Sequence, residues 1–172
     1  MKKPSQRKEQ KKDQKEKITK TDDETSLVFP CELDDRLTVA IVFPENDSYK
    51  TLESSFAESH GFLLHDENLI VVDGKILQED WFTSDHLLVI QAHELGHYNL
   101  EHIRSGTRSE EMDADVVGYR ILSSLNCESA ASLHWDLIWD RYRCIPEDNV
   151  IQSPKYIFDA VDKTVSYTRV NV

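Results

Sequence analysis

Long apolar runs are missing from this chain. No stretch approaches the roughly 20 residues that a membrane-crossing helix needs, so no membrane span is expected. Cysteine is scarce and carries no pattern: Cys31, Cys127 and Cys144 are an odd number with no C-x-x-C pair. A disulfide framework is therefore not expected, and the usage suits a reducing compartment. The Lys-rich start is followed by no apolar h-region, which argues against a secretory signal. These absences together point to a cytoplasmic protein. No internal repeat is visible, so a solenoid or propeller is not expected. Positive charge is confined. Residues 1–20 hold nine Lys/Arg against three acidic residues, about +6, while the remainder holds eleven against twenty-nine, about −18. A body this acidic is a poor surface for phosphates, which argues against nucleic acid as a partner of the folded domain. The basic arm instead suits an acidic partner.

What is present is enough for one domain. The chain has 172 residues, of which 39% are hydrophobic and 30% charged, which allows a modest core. Residues 1–26 carry almost no apolar side chains and read as a disordered basic tail. Residues 27–172 then form the folded domain. Leu37–Phe43 is β-branched and apolar, the pattern of a buried strand. Tyr49–His60 reads as a short helix with Leu52 and Phe56 on one face, stopped by Gly61. Phe62–Leu64 and Leu69–Val72 read as two strands around His65–Asn68, and Asp73-Gly74 is a turn signal; the pattern suits a hairpin, with Lys75–Leu77 either extending it or starting a loop. From Ser84 the pattern turns helical. A first long helix, capped at Thr83, Ser84 or Asp85, runs to about His102 with Leu87, Leu88, Ala92 and Leu95 toward the core. A capping box at Thr107-x-x-Glu110 opens a second, to about Leu125. A third spans about Glu128–Tyr142 with the stripe Leu133, Leu137, Ile138 and Tyr142. Ser153-Pro154 opens a fourth. Trp135, Trp139 and Tyr142 fall at helical spacing, as core residues do. Sheet first and helices after is an α+β plan: a small, mainly antiparallel N-terminal sheet packed on a helical active-site subdomain.

One motif carries chemistry. His93-Glu94-Leu95-Gly96-His97 matches H-E-x-x-H. On a helix, positions i and i+4 share a face one turn apart, so both imidazoles can reach one metal ion. The glutamate beside the first histidine is placed to take a proton from a metal-activated water. Zinc suits two imidazoles and a carboxylate with a fourth position open. The metzincin extension fails, because it requires Gly and His where Leu100 and Ile103 stand. His102 is one residue out of register with it. The third ligand is then expected from Glu110-Glu111-Met112-Asp113-Ala114-Asp115. If the two long helices run antiparallel, Glu111 lies at the height of His97 and Asp115, one turn on, opposite His93. Glu111 is thus placed to ligate, and Asp115 to accept a hydrogen bond from a ligand histidine. Glu110 and Asp113 are expected to be solvated. His60, His65, His86, His102 and His134 have no partner at metal spacing and read as structural or solvated. Tyr98, Tyr119, His134 and Tyr142 are candidates to stabilise an oxyanion.

HELGH followed by E-x-x-A-D resembles the gluzincin-type zinc metallopeptidases, in particular the small ImmA/IrrE-like group and the minimal single-domain gluzincins. The resemblance covers roughly residues 60–125, and the gap from His97 to Glu111 is shorter than the group's. It implies a zincin-like fold, one zinc per chain bound by His93, His97 and Glu111, and Glu94 as catalytic base. The expected function is zinc-dependent hydrolysis of peptide bonds in a protein or peptide substrate. That substrate is expected to lie along an exposed edge strand, Leu69–Val72. The alternative is a catalytically silent zinc-binding regulatory or interaction protein. Glu94 distinguishes the two, since a structural zinc site has no use for a base there.

Overall fold

The computed structural model describes residues 25–57, 59–102 and 107–142. Residues 1–24 of the basic tail, Cys144 and the expected helix at Ser153-Pro154 lie outside those residues, while Ser26, assigned to the tail, begins a strand. The described chain is α+β, with a four-stranded sheet followed by helices. The strands are β1 (Ser26–Pro30), β2 (Thr38–Val42), β3 (Gly61–Leu64) and β4 (Leu69–Asp73). Helix α1 (Tyr49–Phe56) falls between β2 and β3, and α2 (Ser84–Leu100), α3 (Arg108–Ser124) and α4 (Glu128–Tyr142) follow the sheet.

The sheet order is β1-β2-β4-β3. β1 and β3 pair antiparallel with β2 and β4, and the central pair β2·β4 is parallel, Val39 opposite Ile70 and Ile41 opposite Val72. A parallel pair needs a long crossover, and α1 with β3 supplies it. The expected β3–β4 hairpin is present, turned by a 3-10 turn at His65–Glu67 and left-handed Asn68. One expectation is corrected. β4 is not an edge strand: it is flanked on both sides, and the edges are β1 and β3. Of the two readings of Lys75–Leu77, extension of the hairpin fails. Asp73 caps a short 3-10 helix, Gly74–Gln78, by accepting from the Lys75 N–H.

Alternation along the strands divides the core. Val39, Ile41, Ile70 and Val72 face α2–α4. Val42 and Val71 face α1, where they meet Tyr49 and Phe56. The sheet is thus covered by one short helix on one side and three on the other. Strands apolar on both faces are what a buried parallel pair requires. β1, which the sequence reading passed over, is only half-buried.

Small residues bring α2 and α3 into backbone contact. A Cβ on Gly96 would sit 2.5 Å from the Ala114 carbonyl oxygen. A Cβ on Gly118 would sit 2.8 Å from that of Ala92. The glycine of HELGH and the alanine of E-x-x-A-D are therefore the two sides of one helix crossing. On α4 the expected stripe holds only in part, with Leu133 packed against the core. The buried face is Ala130, Ala131 and His134, while Leu137 is 43% exposed and Trp135 is 50% exposed against Tyr119. Trp135 is thus not core. Among the described residues no helix is long and apolar enough to cross a membrane.

Candidate metal centre

The site is assembled from α2 and α3. Thr83 caps α2, and His86 Nδ1 accepts from the Thr83 N–H at 3.2 Å, a histidine taking the place of the usual Glu or Gln. Buried Gln91, two residues before the motif, accepts from the Glu32 N–H at 2.8 Å and ties α2 to the β1–β2 connection. The Thr107–Glu110 capping box forms as expected and fixes the start of α3. Those anchors and the Gly96–Ala114 contact set the relative height of the two helices.

At that height three acceptor atoms converge. His93 Nε2 and His97 Nε2 lie 3.1 Å apart. The Glu111 carboxylate lies 3.2 Å from His93 Nε2 and 3.5 Å from His97 Nε2. A tetrahedral zinc shell with bonds of about 2.0–2.2 Å has donor–donor edges of about 3.3 Å. His93, His97 and Glu111 therefore match a metal-binding triad in both donor type and spacing, and they could hold a metal.

The outer nitrogens are occupied. His93 Nδ1 is 2.7 Å from Asp115 Oδ1. With the proton on Nδ1, the neutral ring turns the Nε2 lone pair toward the triad. Asp115 is a hub, since His134 Nε2 reaches the same oxygen at 3.2 Å and Arg141 donates to the other oxygen at 2.9 Å. His93, Asp115 and His134 also lie at ligand spacing. With the Arg141 guanidinium already on that carboxylate, they read as a hydrogen-bonded support and not as a second cation site. The second motif histidine has an unusual partner: His97 Nδ1 lies 3.0 Å from His102 Nδ1.

The electrostatics agree with a metal-binding triad. Burial alone would lower the His93 pKa, but hydrogen bonds to Asp115 and Glu111 outweigh it and push it up to about 10. The acid-rich cluster thus gathers a proton at the nitrogen a divalent ion would occupy. His93 and His97 hold Glu111 well below the usual carboxylate range. Burial would raise Asp115, yet His134, His93 and Arg141 carry it well below that range too. Glu94 moves the other way. It is buried, its carboxylate makes no hydrogen bond among the described residues, and burial pushes its pKa up against the pull of His93 and His97.

All four of these groups line one open cleft of about 1210 Å³. It extends over the β3 edge at Gly61 and Phe62, past Trp81 and Phe82, to Arg108, Leu137 and Arg141.

The structure thus brings His93, Glu94, His97, Glu111 and Asp115 together. It also adds residues the sequence reading had set aside. His102 is buried against His97, and burial and that neighbour's charge lower its pKa. His134 is buried and lines the cleft. Its signal was the small-residue face it shares with Ala130 and Ala131. Asp113, expected in solvent, is fully buried. Of the oxyanion candidates, Tyr98 stacks on His65 and Tyr119 lies tilted against Trp135, neither lining the cleft, and the Tyr142 side chain lies outside the described residues. Comparison with protein-family models, curated proteins and solved structures gave no match.

Proposed function

We propose that the protein is a zinc-dependent endopeptidase of the gluzincin type, with a zincin-like fold. The observation that carries the reading is the convergence of His93 Nε2, His97 Nε2 and the Glu111 carboxylate beside a buried, unpartnered glutamate in an open cleft. Two imidazoles and a carboxylate are a zinc donor set with room for a fourth ligand. A bound zinc would supply Lewis-acid polarisation of a carbonyl and make water acidic near neutral pH. Asp115 holds the His93 Nδ1 proton, which keeps Nε2 available as a ligand.

Glu94 takes the proton of the attacking water and returns it to the leaving amine. Burial suits it to that task, since a raised carboxylate pKa narrows the gap to the groups it exchanges protons with. His134, buried at the cleft wall with Nε2 on Asp115, is the described oxyanion candidate within reach of the cleft. A substrate segment pairs with the free edge of β3, which lines the cleft, and not with β4.

The test is zinc analysis and proteolysis of wild type and Glu94→Gln. About one zinc per chain is expected in both, as is usual for a three-ligand catalytic site, with cleavage only in the wild type. Zinc in both with cleavage in neither identifies a silent binding module. Equal cleavage in both removes Glu94 from the mechanism.

A further inference from the structure

Two exposed side chains of different chemistry line the cleft. Trp81 stands just before α2 and is 49% exposed, although the rings of Phe82 and His86 lie within 6 Å of it. An indole left half in water at a cleft wall is apolar area awaiting a partner. Leu137, also exposed, extends that apolar lining from α4.

The second is cationic. Arg108 is the first residue of α3, which begins beside the C-terminal half of α2 because His97 and Glu111 meet there. Its side chain is exposed and makes no ion pair among the described residues. Arg141, one turn beyond Leu137 on α4, is already committed to Asp115. Among the described residues no lysine lines the cleft, and its carboxylates are Glu94, Glu111 and Asp115. Among these described groups, two arginines and a divalent ion exceed three carboxylates, so a loaded cleft would be net positive within a strongly acidic body. Low-dielectric walls focus such a local field on an incoming ligand.

We propose that the cleft takes an extended peptide segment that places an acidic side chain against Arg108 and a large apolar side chain against Trp81. The preference rests on the peptidase reading for its consequence, cleavage, and not for binding. Guanidinium and carboxylate pair in a fixed geometry, which gives orientation as well as attraction. The apolar contact supplies the burial.

The experiment uses the full-length, zinc-loaded Glu94→Gln protein and end-blocked peptides, so that no terminal carboxylate contributes. Binding is measured for a peptide with both groups, for its Asp→Asn form and for its Phe→Ala form. Each change is expected to weaken binding about tenfold, the scale of a charge-assisted contact. Arg108→Gln should abolish the Asp/Asn difference and keep the Phe/Ala difference, and Trp81→Ala should do the reverse. Equal binding of all three peptides, or binding only of peptides with a free C-terminus, overturns the proposal. Selective binding without cleavage by the wild type contradicts the peptidase reading alone. Cleavage by the wild type with no such selectivity contradicts the proposal alone.

Discussion

At the residue scale, the pair His93 and His97 was legible because i, i+4 spacing on a helix is a geometric statement. Glu111 and Asp115 were legible because two antiparallel helices around a short connection fix relative height. Their oxygens lie within 3.5 Å of the motif imidazoles. His102 and His134 were not legible. Their contacts depend on where a helix ends and on how a third helix docks, and neither is encoded in ligand spacing. Asp115 tests the support beneath the triad. Asp115→Asn keeps the size of the side chain and removes the charge that holds His93 Nδ1–H. Zinc affinity is expected to fall roughly 10- to 100-fold, the usual scale for such a partner, in competition with a chromophoric chelator. Unchanged affinity would place Asp115 in the structural support of His134 and Arg141 instead.

At the element scale, strands and helices were legible from local pattern, and pairing was not. Leu69–Val72 is recognisable as a strand, yet its central place follows from a crossover that puts β2 beside it in parallel. On α4 the periodic apolar stripe was only partly right, since Leu133 packs on the core and Leu137 does not. Ala130, Ala131 and His134 turn inward because small side chains let α4 approach α3, where Gly118 lies within a Cβ contact of His134. The α2–α3 crossing is the element on which the site depends. Gly96→Ala would drive a methyl into the Ala114 backbone, at a cost of about 1–3 kcal/mol. It should also weaken zinc binding, because His93 and His97 would move away from Glu111. Thr107→Ala removes the α3 capping box, at about 1 kcal/mol, and should leave zinc affinity nearly unchanged. Paired urea melts and zinc titrations separate the two. Equal losses of affinity would show that general stability, and not the helix crossing, governs the site.

At the scale of the whole molecule, the metal-free fold holds a buried acid–imidazole cluster whose charge balance depends on pH. The His93 pKa is raised from 6.5 to about 10. A raised pKa means stability present in full below 6.5 and lost as pH climbs toward 10. The metal-free protein should therefore have a urea midpoint that falls across that window. Zinc displaces the His93 proton, so the zinc-loaded protein should lose this dependence. At a free zinc concentration 100 times the Kd, the ion should add about 2.7 kcal/mol. A metal-free midpoint flat from pH 6.5 to 10 would show that the Asp115 and Glu111 contacts do not hold a proton on His93.

The claim that two imidazoles and one carboxylate, and no sulfur, form a zinc site is tested most directly by X-ray absorption at the zinc edge. The sample is the full chain loaded with one equivalent of zinc. The account predicts two nitrogen scatterers with imidazole character at about 2.0–2.1 Å and carboxylate oxygen at about 2.0–2.2 Å. The imidazole signal should fall by half in His97→Ala. Sulfur scattering at about 2.3 Å, or a spectrum unchanged by His97→Ala, would contradict it.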